Sequence, residues 1–216
     1  MIKASVALDH SEVPIRLFKS DLLEFFTHIH PIVVLVIYVP VVIYFLVTAI
    51  ASQPQASISK AVYIPLGLLI GLFLWTFTEY ALHRFVFHFP PRAPWQERLS
   101  FLFHGVHHAQ PKMKTRLVMP PPVSIPLALL FYAVFYLILD LAVDMPYWIA
   151  PTFVGFIAGY LIYDMTHYAT HHWAMRSGYF KFLKRYHMQH HYKTPDKRFG
   201  VSSPLWDMVF GTKPAA

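Results

Sequence analysis

Long apolar runs alternate along the chain with stretches dense in polar and aromatic residues, and the runs are of helix-spanning length. Residues 29–51 carry no charge and are long enough to cross a hydrocarbon core of about 30 Å. Pro31 stands at the start of this run, where proline is tolerated, and Pro40 inside it predicts a kink. A short polar loop, 52–60, follows, with Gln53, Pro54 and Gln55 as punctuation. The second run, 61–87, is apolar through Phe77 and then acquires Glu79, His83 and Arg84, with His88 just beyond. One helix of that length measures about 40 Å at 1.5 Å per residue. It outruns the membrane core, so the spanning part is about 61–82 and the end delivers its histidines just outside the lipid.

Residues 90–122 are polar and proline-rich and contain no span. The third span is 123–143, with Asp140 and Asp144 at its far end, and the fourth is 147–166, which includes Asp164 and leads directly into further histidines. Before the first span, 1–28 read as a cytosolic or interfacial arm. In it, Ile15, Leu17, Phe18, Leu22, Leu23, Phe25 and Phe26 crowd among Arg16, Lys19, Asp21 and Glu24. An amphipathic surface helix over 15–26 accounts for that mixture; ordinary packing against the rest of the protein accounts for it equally well. The tail, 173–216, is basic, and its stretch 199–207 reads as a loop closing on a site.

Composition agrees with the pattern. Of 216 residues 56% are hydrophobic and only 13% charged, about half the charged fraction of a soluble domain. The fold expected is all-α: an integral membrane protein with four transmembrane helices in one unit, 29–216, beneath a helical cap. The N-terminus, with Asp9, Glu12, Asp21 and Glu24, is not a cleavable signal peptide. The absence of cysteine excludes a disulfide scaffold and a cysteine-bound iron–sulfur cluster.

Charge sets the orientation. Lys3, Arg16 and Lys19 precede the first span, Arg84, Arg92, Arg98, Lys112, Lys114 and Arg116 lie between the second and third, and eight more basic residues follow the fourth. The two opposite loops hold only Lys60. Lys and Arg stay on the cytoplasmic side, which places both termini and the cap in the cytosol. The membrane accounts for the net +7, through topology and anionic headgroups, and no nucleic-acid partner is needed.

Eleven of the fourteen histidines fall between 83 and 191 in four clusters: His83 and His88; His104, His107 and His108; His167, His171 and His172; His187, His190 and His191. Imidazole is the commonest protein ligand for transition metals. Residues three or four apart share a helix face, so each triplet 104/107/108 and 187/190/191 can converge on one point, as can His167 with His171. His83 and His88, five apart, diverge by about 140° on an α-helix and meet at one ion only if the helix ends there. So many imidazoles exceed one tetrahedral site of about four ligands and imply two metals. Iron, copper, zinc and nickel all suit imidazole. Glu79 and Asp164, one turn before His83 and His167, are placed to accept the second ring N–H of those imidazoles, and for Glu79 a salt bridge to an arginine accounts for the position equally well. The isolated His10, His28 and His30 make no such claim.

These residues resemble the fatty acid hydroxylase/sterol desaturase superfamily of membrane di-iron enzymes, and most of all its fatty acid 2-hydroxylase branch, which acts on sphingolipid acyl chains. The resemblance is carried by Glu79-Tyr80-Ala81-Leu82-His83-Arg84-Phe85-Val86-Phe87-His88, His104-Gly105-Val106-His107-His108, Arg116-Leu117-Val118-Met119-Pro120-Pro121, Tyr163-Asp164-Met165-Thr166-His167-Tyr168, His187-Met188-Gln189-His190-His191 and Gly200-Val201-Ser202-Ser203-Pro204-Leu205-Trp206-Asp207. It covers nearly everything from the second span onward. It implies that His83, His88, His104, His107, His108, His167, His171, His187, His190 and His191 ligate two iron ions, with zinc able to take their place in purified protein. No catalytic residue beyond this metal centre is implied. His172 is the remainder of its cluster and points about 140° away from His167.

The resemblance further implies O2-dependent hydroxylation at C2 of a fatty acid or ceramide, a membrane lipid as substrate, and a separate electron donor such as cytochrome b5 or its equivalent. Many relatives carry a fused cytochrome b5-like domain, for which the 28 residues before the first span leave no room. The expected location is the endoplasmic reticulum membrane in a eukaryote or the cytoplasmic membrane in a bacterium. Phe85, Phe87, Tyr163 and Tyr168 are candidate walls for the lipid. A sterol or acyl desaturase or a carotenoid hydroxylase would use similar histidines, and product analysis separates these from a hydroxylase. A polyhistidine metal transporter would place its ligands at mid-membrane, and a bis-histidine haem protein would show a Soret band.

Overall fold

The computed structural model describes residues 8, 9, 11, 13–52 and 59–214, and among these the regular elements are all helical. Lys3, His10, Glu12, Gln53, Pro54 and Gln55 lie outside the described residues. Among the described residues four helices are long and apolar enough to cross a membrane: Pro31–Ala51, Lys60–Phe87, Pro121–Ala142 and Pro146–His172. The first is α2 (Pro31–Ala51), with Pro31 in its first turn, and it runs unbroken through Pro40. The second is α3 (Lys60–Ala81), extended by the π-helical Leu82–Phe87. The third joins α6 (Pro121–Phe135) to a π-helical Tyr136–Ala142, and the fourth is α7 (Ile149–His172) behind one 3-10 turn.

Helix α7 is the axle of the bundle. Some 78% of its apolar window is buried, against 6% for the third span. Around it α2, α3, α6 and the π-helical continuation of α6 turn Val36, Tyr44, Leu69, Phe73, Leu129 and Leu137 outward, toward the lipid side. The core is aromatic: Trp75 packs on Phe156, Tyr160 and Tyr163 with ring centroids 5.1–5.9 Å apart, and Tyr38 meets Tyr160 edge-on at 5.0 Å. Without a hydrophobic drive between helices in lipid, close backbone approach through small residues holds such pairs. Here α3 and α7 touch through glycine: a Cβ on Gly71 would lie 1.9 Å from the Thr152 carbonyl, and one on Gly155 would lie 2.0 Å from that of Leu68.

The cap consists of α4 (Pro94–Ser100), continued by a π-helical Phe101–Gly105 and α5 (Val106–Ala109), together with α8 (Gly178–Tyr192) and α9 (Leu205–Val209). These elements follow the C-terminal ends of α3 and α7 and so sit at one end of the bundle. The arm departs from the amphipathic helix allowed for 15–26. Within 15–26 only α1 (Asp21–Phe25) is helical, because the Glu24 carboxylate takes the backbone N–H groups of Leu17 and Phe18, each at 2.9 Å, and keeps them extended. The arm then lies along the cap, with Asp9 N donating to the Ala109 carbonyl at 2.8 Å and Ile29 N to that of Thr115 at 2.7 Å.

Candidate metal centre

Ten histidines gather into two groups of five. His83, His88, His104, His108 and His190 form one; His107, His167, His171, His187 and His191 form the other; within each group the candidate ligand nitrogens lie within 4.8 Å of one another. All ten residues named from the sequence are therefore in the two groups, and His172 is in neither: its ring lies 4.8 Å from that of Tyr168.

The local winding explains the partition. His83 and His88 face one point because Leu82–Phe87 is π-helical and ends with His88 N donating to the His83 carbonyl at 3.0 Å. The i→i+5 ladder brings residues five apart onto one side. His167 and His171, one α-turn apart, share a group. The two triplets do not converge as their spacing suggested. His107 and His108, and likewise His190 and His191, are sequence neighbours about 100° apart on a helix, and each pair sends one ring to each group. The cap segments run between the two groups rather than beside one of them.

The donor set fits metal ions. Neighbouring Nε2 atoms within a group stand 2.9–3.2 Å apart, for example His83 and His104 at 3.0 Å, His107 and His167 at 3.0 Å, and His171 and His187 at 2.9 Å. Two nitrogens each about 2.1 Å from one ion and at right angles to it would be about 3.0 Å apart. Hydrogen bonding alone cannot account for the arrangement. His107 Nε2 faces both His167 and His191, and His190 Nε2 faces both His88 and His108, whereas one ring nitrogen carries at most one proton. Burial first, and then the neighbouring imidazoles, hold His88, His104, His107, His108, His187, His190 and His191 below the usual histidine range. They stay neutral, with lone pairs free for a cation.

The C-terminal loop orients the first group. His83 Nδ1 donates to the Phe199 carbonyl, and His190 Nδ1 to that of Lys197 at 2.7 Å, the usual way of fixing a ligand's tautomer. Phe199 is itself held by Asp207, fully buried, whose carboxylate accepts from Phe199 N at 2.9 Å, Gly200 N at 2.8 Å and the Thr212 hydroxyl at 2.7 Å. A Cβ on Gly200 would lie 1.9 Å from the Ser203 carbonyl, so only glycine fits that turn. Glu79 does not take the ring N–H of His83. Its carboxylate accepts from Val201 N at 2.6 Å, Ser202 N at 2.8 Å and the Ser202 hydroxyl, which fastens the same loop to α3. Asp164 lies against Met119 N, at 3.3 and 3.4 Å, rather than serving His167. Asp207 and Phe199 were legible in the sequence only as part of a closing loop.

Beside the histidines is an apolar cavity of about 490 Å³. His104, His107 and His167 open into it, so it reaches both groups. Phe87 and Tyr163 line it, while Phe85 faces outward and Tyr168 packs on His172.

Comparison with known proteins matches the Fatty acid hydroxylase family over residues 68–212. A dihydroceramide fatty acyl 2-hydroxylase of Arabidopsis thaliana is 39% identical over 199 residues, 92% of this chain and 80% of that protein. A ceramide very long chain fatty acid hydroxylase of Schizosaccharomyces pombe is 44% identical over 149 residues, 67% of this chain and 41% of its own length. The solved structure of full-length scs7p, in which only the hydroxylase domain is visible, is 36% identical with a TM-score of 0.78, over 90% of this chain and 70% of that one.

Proposed function

This chain belongs to the fatty acid hydroxylase family, and we propose that its reaction is the O2-dependent hydroxylation at C2 of the acyl chain of a ceramide or fatty acid, at a centre of two iron ions. One observation carries the reading: two groups of five imidazoles lie beside one apolar cavity, which His104, His107 and His167 line. His83, His88, His104, His108 and His190 would hold one iron and His107, His167, His171, His187 and His191 the other. Iron bound there supplies the redox chemistry that activates dioxygen, which zinc, having none, cannot. The balance is one C–H bond, O2, two electrons and two protons giving C–OH and water. The electrons come from a separate one-electron donor, cytochrome b5 or its equivalent.

The protein's own part is position and dryness. The walls Phe87, Val106, Leu117, Val118 and Tyr163 exclude water and align a hydrocarbon chain against His104, His107 and His167. Depth supports C2. The histidines sit at and beyond the ends of the spans, so the headgroup end of a lipid reaches them before the middle of its chain does. The excess of Lys and Arg at this end of the bundle supports a cytosolic site, in the endoplasmic reticulum membrane of a eukaryote or the cytoplasmic membrane of a bacterium.

The test is lipid mass spectrometry of the iron-loaded enzyme with dioxygen and a one-electron donor. The expected product has gained one oxygen, located at C2. Loss of two hydrogens, or a hydroxyl far along the chain, would place the protein in a desaturating or other hydroxylating branch. Turnover by zinc-loaded, iron-free enzyme would overturn the mechanism.

A further inference from the structure

The histidines supply one wall of the cavity and the N-terminal arm supplies another. Leu17, Phe18, Leu23, Phe26 and Thr27 line it from the arm, and Leu99, Leu102 and Phe103 line it from α4 and its π-helical extension. Every ligand lies within 68–212, the stretch the family model matches, whereas the arm precedes it.

The arm is built onto the cap along its length. Arg116, whose side chain is almost fully buried, pairs with Glu24 at 2.5 Å and donates to the Ile15 carbonyl and, at 3.3 Å, to the Thr27 hydroxyl. Gln110 accepts from Ile15 N at 3.0 Å and donates to the Val13 carbonyl at 2.9 Å. A wall held this way keeps its shape against a hydrocarbon chain.

One edge of the cavity is open. Leu23 and Phe26 line it and yet are 51% and 42% exposed, and Leu99 and Phe103 line it while 37% and 44% exposed. All four are apolar, so this rim suits an acyl chain leaving the bilayer and no aqueous solute. Leu22 and Phe25, on the same short helix, are more exposed, at 67% and 68%, and face away from the cavity. That disposition suits a helix lying at the lipid surface.

We propose that the gap between α1 and residues 99–103 is the port through which the acyl chain reaches the histidines, and that Leu23, Phe26, Leu99 and Phe103 select which chains pass. The acyl substrate in this proposal rests on the hydroxylase reading above; the geometry of the port does not.

The chain has no cysteine, so a single introduced thiol is uniquely addressable. Leu23→Cys, Phe26→Cys, Leu22→Cys and Phe25→Cys would each be made in the full chain, loaded with iron and reacted to completion with a bulky maleimide, as checked by intact mass. Each is compared, before and after reaction, for crosslinking to a long-chain N-acyl amine carrying a diazirine on its chain, presented in phosphatidylcholine vesicles. Hydroxylation of the same amide without the diazirine is followed in parallel. The expected result is that the modified Leu23→Cys and Phe26→Cys proteins lose both the crosslink to peptides containing Val106 or Tyr163 and the turnover, while the modified Leu22→Cys and Phe25→Cys proteins keep both. Survival of the crosslink after modification at Leu23 and Phe26 would overturn the port, as would equal loss at all four positions, which would mean damage to the arm. A crosslink blocked as expected in protein that never hydroxylates would uphold the port and refute the hydroxylase reading instead.

Discussion

Removing Asp207 should release one metal ion selectively without touching a ligand. Its buried carboxylate accepts from Phe199 N, Gly200 N and the Thr212 hydroxyl, and the Phe199 carbonyl in turn fixes His83. Asp207→Ala leaves two backbone N–H groups buried without acceptors. At about 1–3 kcal/mol for each orphaned donor the loss is roughly 2–6 kcal/mol of local stability. Asp207→Asn keeps the shape but turns an NH2 toward one of the three donors, so its cost is nearer roughly 1–3 kcal/mol. Losing the partner that orients a ligand lowers metal affinity by about 10–100-fold, and the group affected is the one containing His83. Iron release followed against chelator concentration should therefore become two-stepped in Asp207→Ala, with one ion leaving at lower chelator than the other. Asp207→Asn should show the same order with a smaller separation. Simultaneous release of both ions, or release unchanged from the parent protein, would refute the chain of contacts from Asp207 through Phe199 to His83.

His190→Ala and His191→Ala, though adjacent, should each lose one and a different one of the two ions along with activity, and the double variant both. His172→Ala should keep both, and equal metal loss in all three single variants would make the ten-ligand assignment wrong. A lower pH should loosen the arm. Burial first, then Arg116, hold His28 below the usual histidine range, while Glu24 opposes them, so the released arm binds more protons than the docked one and docking weakens as pH falls through and below about 6.5. Hydrogen exchange of the arm amides, taken relative to the intrinsic exchange rate at each pH, should show less protection at acid than at neutral pH, and the difference should shrink in His28→Gln; a pH response unchanged in that variant would remove the cause given. Both termini should be accessible from the cytoplasmic side in a tag-accessibility assay, and a terminus found on the far side would sink the four-span orientation.

The four spans were legible because long uncharged runs have few alternatives in a membrane protein. The apolar run alone does not mark a helix end: the fourth helix continues past 166 to His172, since polar histidines end an apolar run without ending a helix. The ten histidines were legible as clusters, but their gathering into two groups of five was not. Spacing on an ideal α-helix predicts which rings share a face. It says nothing of where a helix widens into a π-turn, as at Leu82–Phe87, or of a segment passing between the two groups. The same limit misplaced Glu79, whose position one turn before His83 suggested a ring contact while its partners, Val201 and Ser202, come from residues more than a hundred positions away. The glycines at 67, 71, 155 and 159, two pairs each spaced by four, were a signal of close helix packing in the sequence itself.

The partition of the histidines gives those glycines a role in the site. Within the two groups, α3 and its extension contribute His83 and His88 to one only, and α7 contributes His167 and His171 to the other only. The cap segments contribute to both, through His107 beside His108 and His190 beside His191. Each group thus hangs from one membrane helix, and the cap pairs bridge across. The separation of the two groups then depends on two lengths: the fixed step between neighbouring residues in the cap, and the distance between α3 and α7. Gly71 against Thr152 and Gly155 against Leu68 bring those two backbones into contact, and interiors packed so closely do not deform gradually. Substituting a larger residue there must move α3 from α7 while the cap pairs hold their own spacing. The strain falls on the ten imidazoles, although the atoms nearest a Cβ on Gly71 or Gly155 belong to Thr152, Phe156 and Leu68.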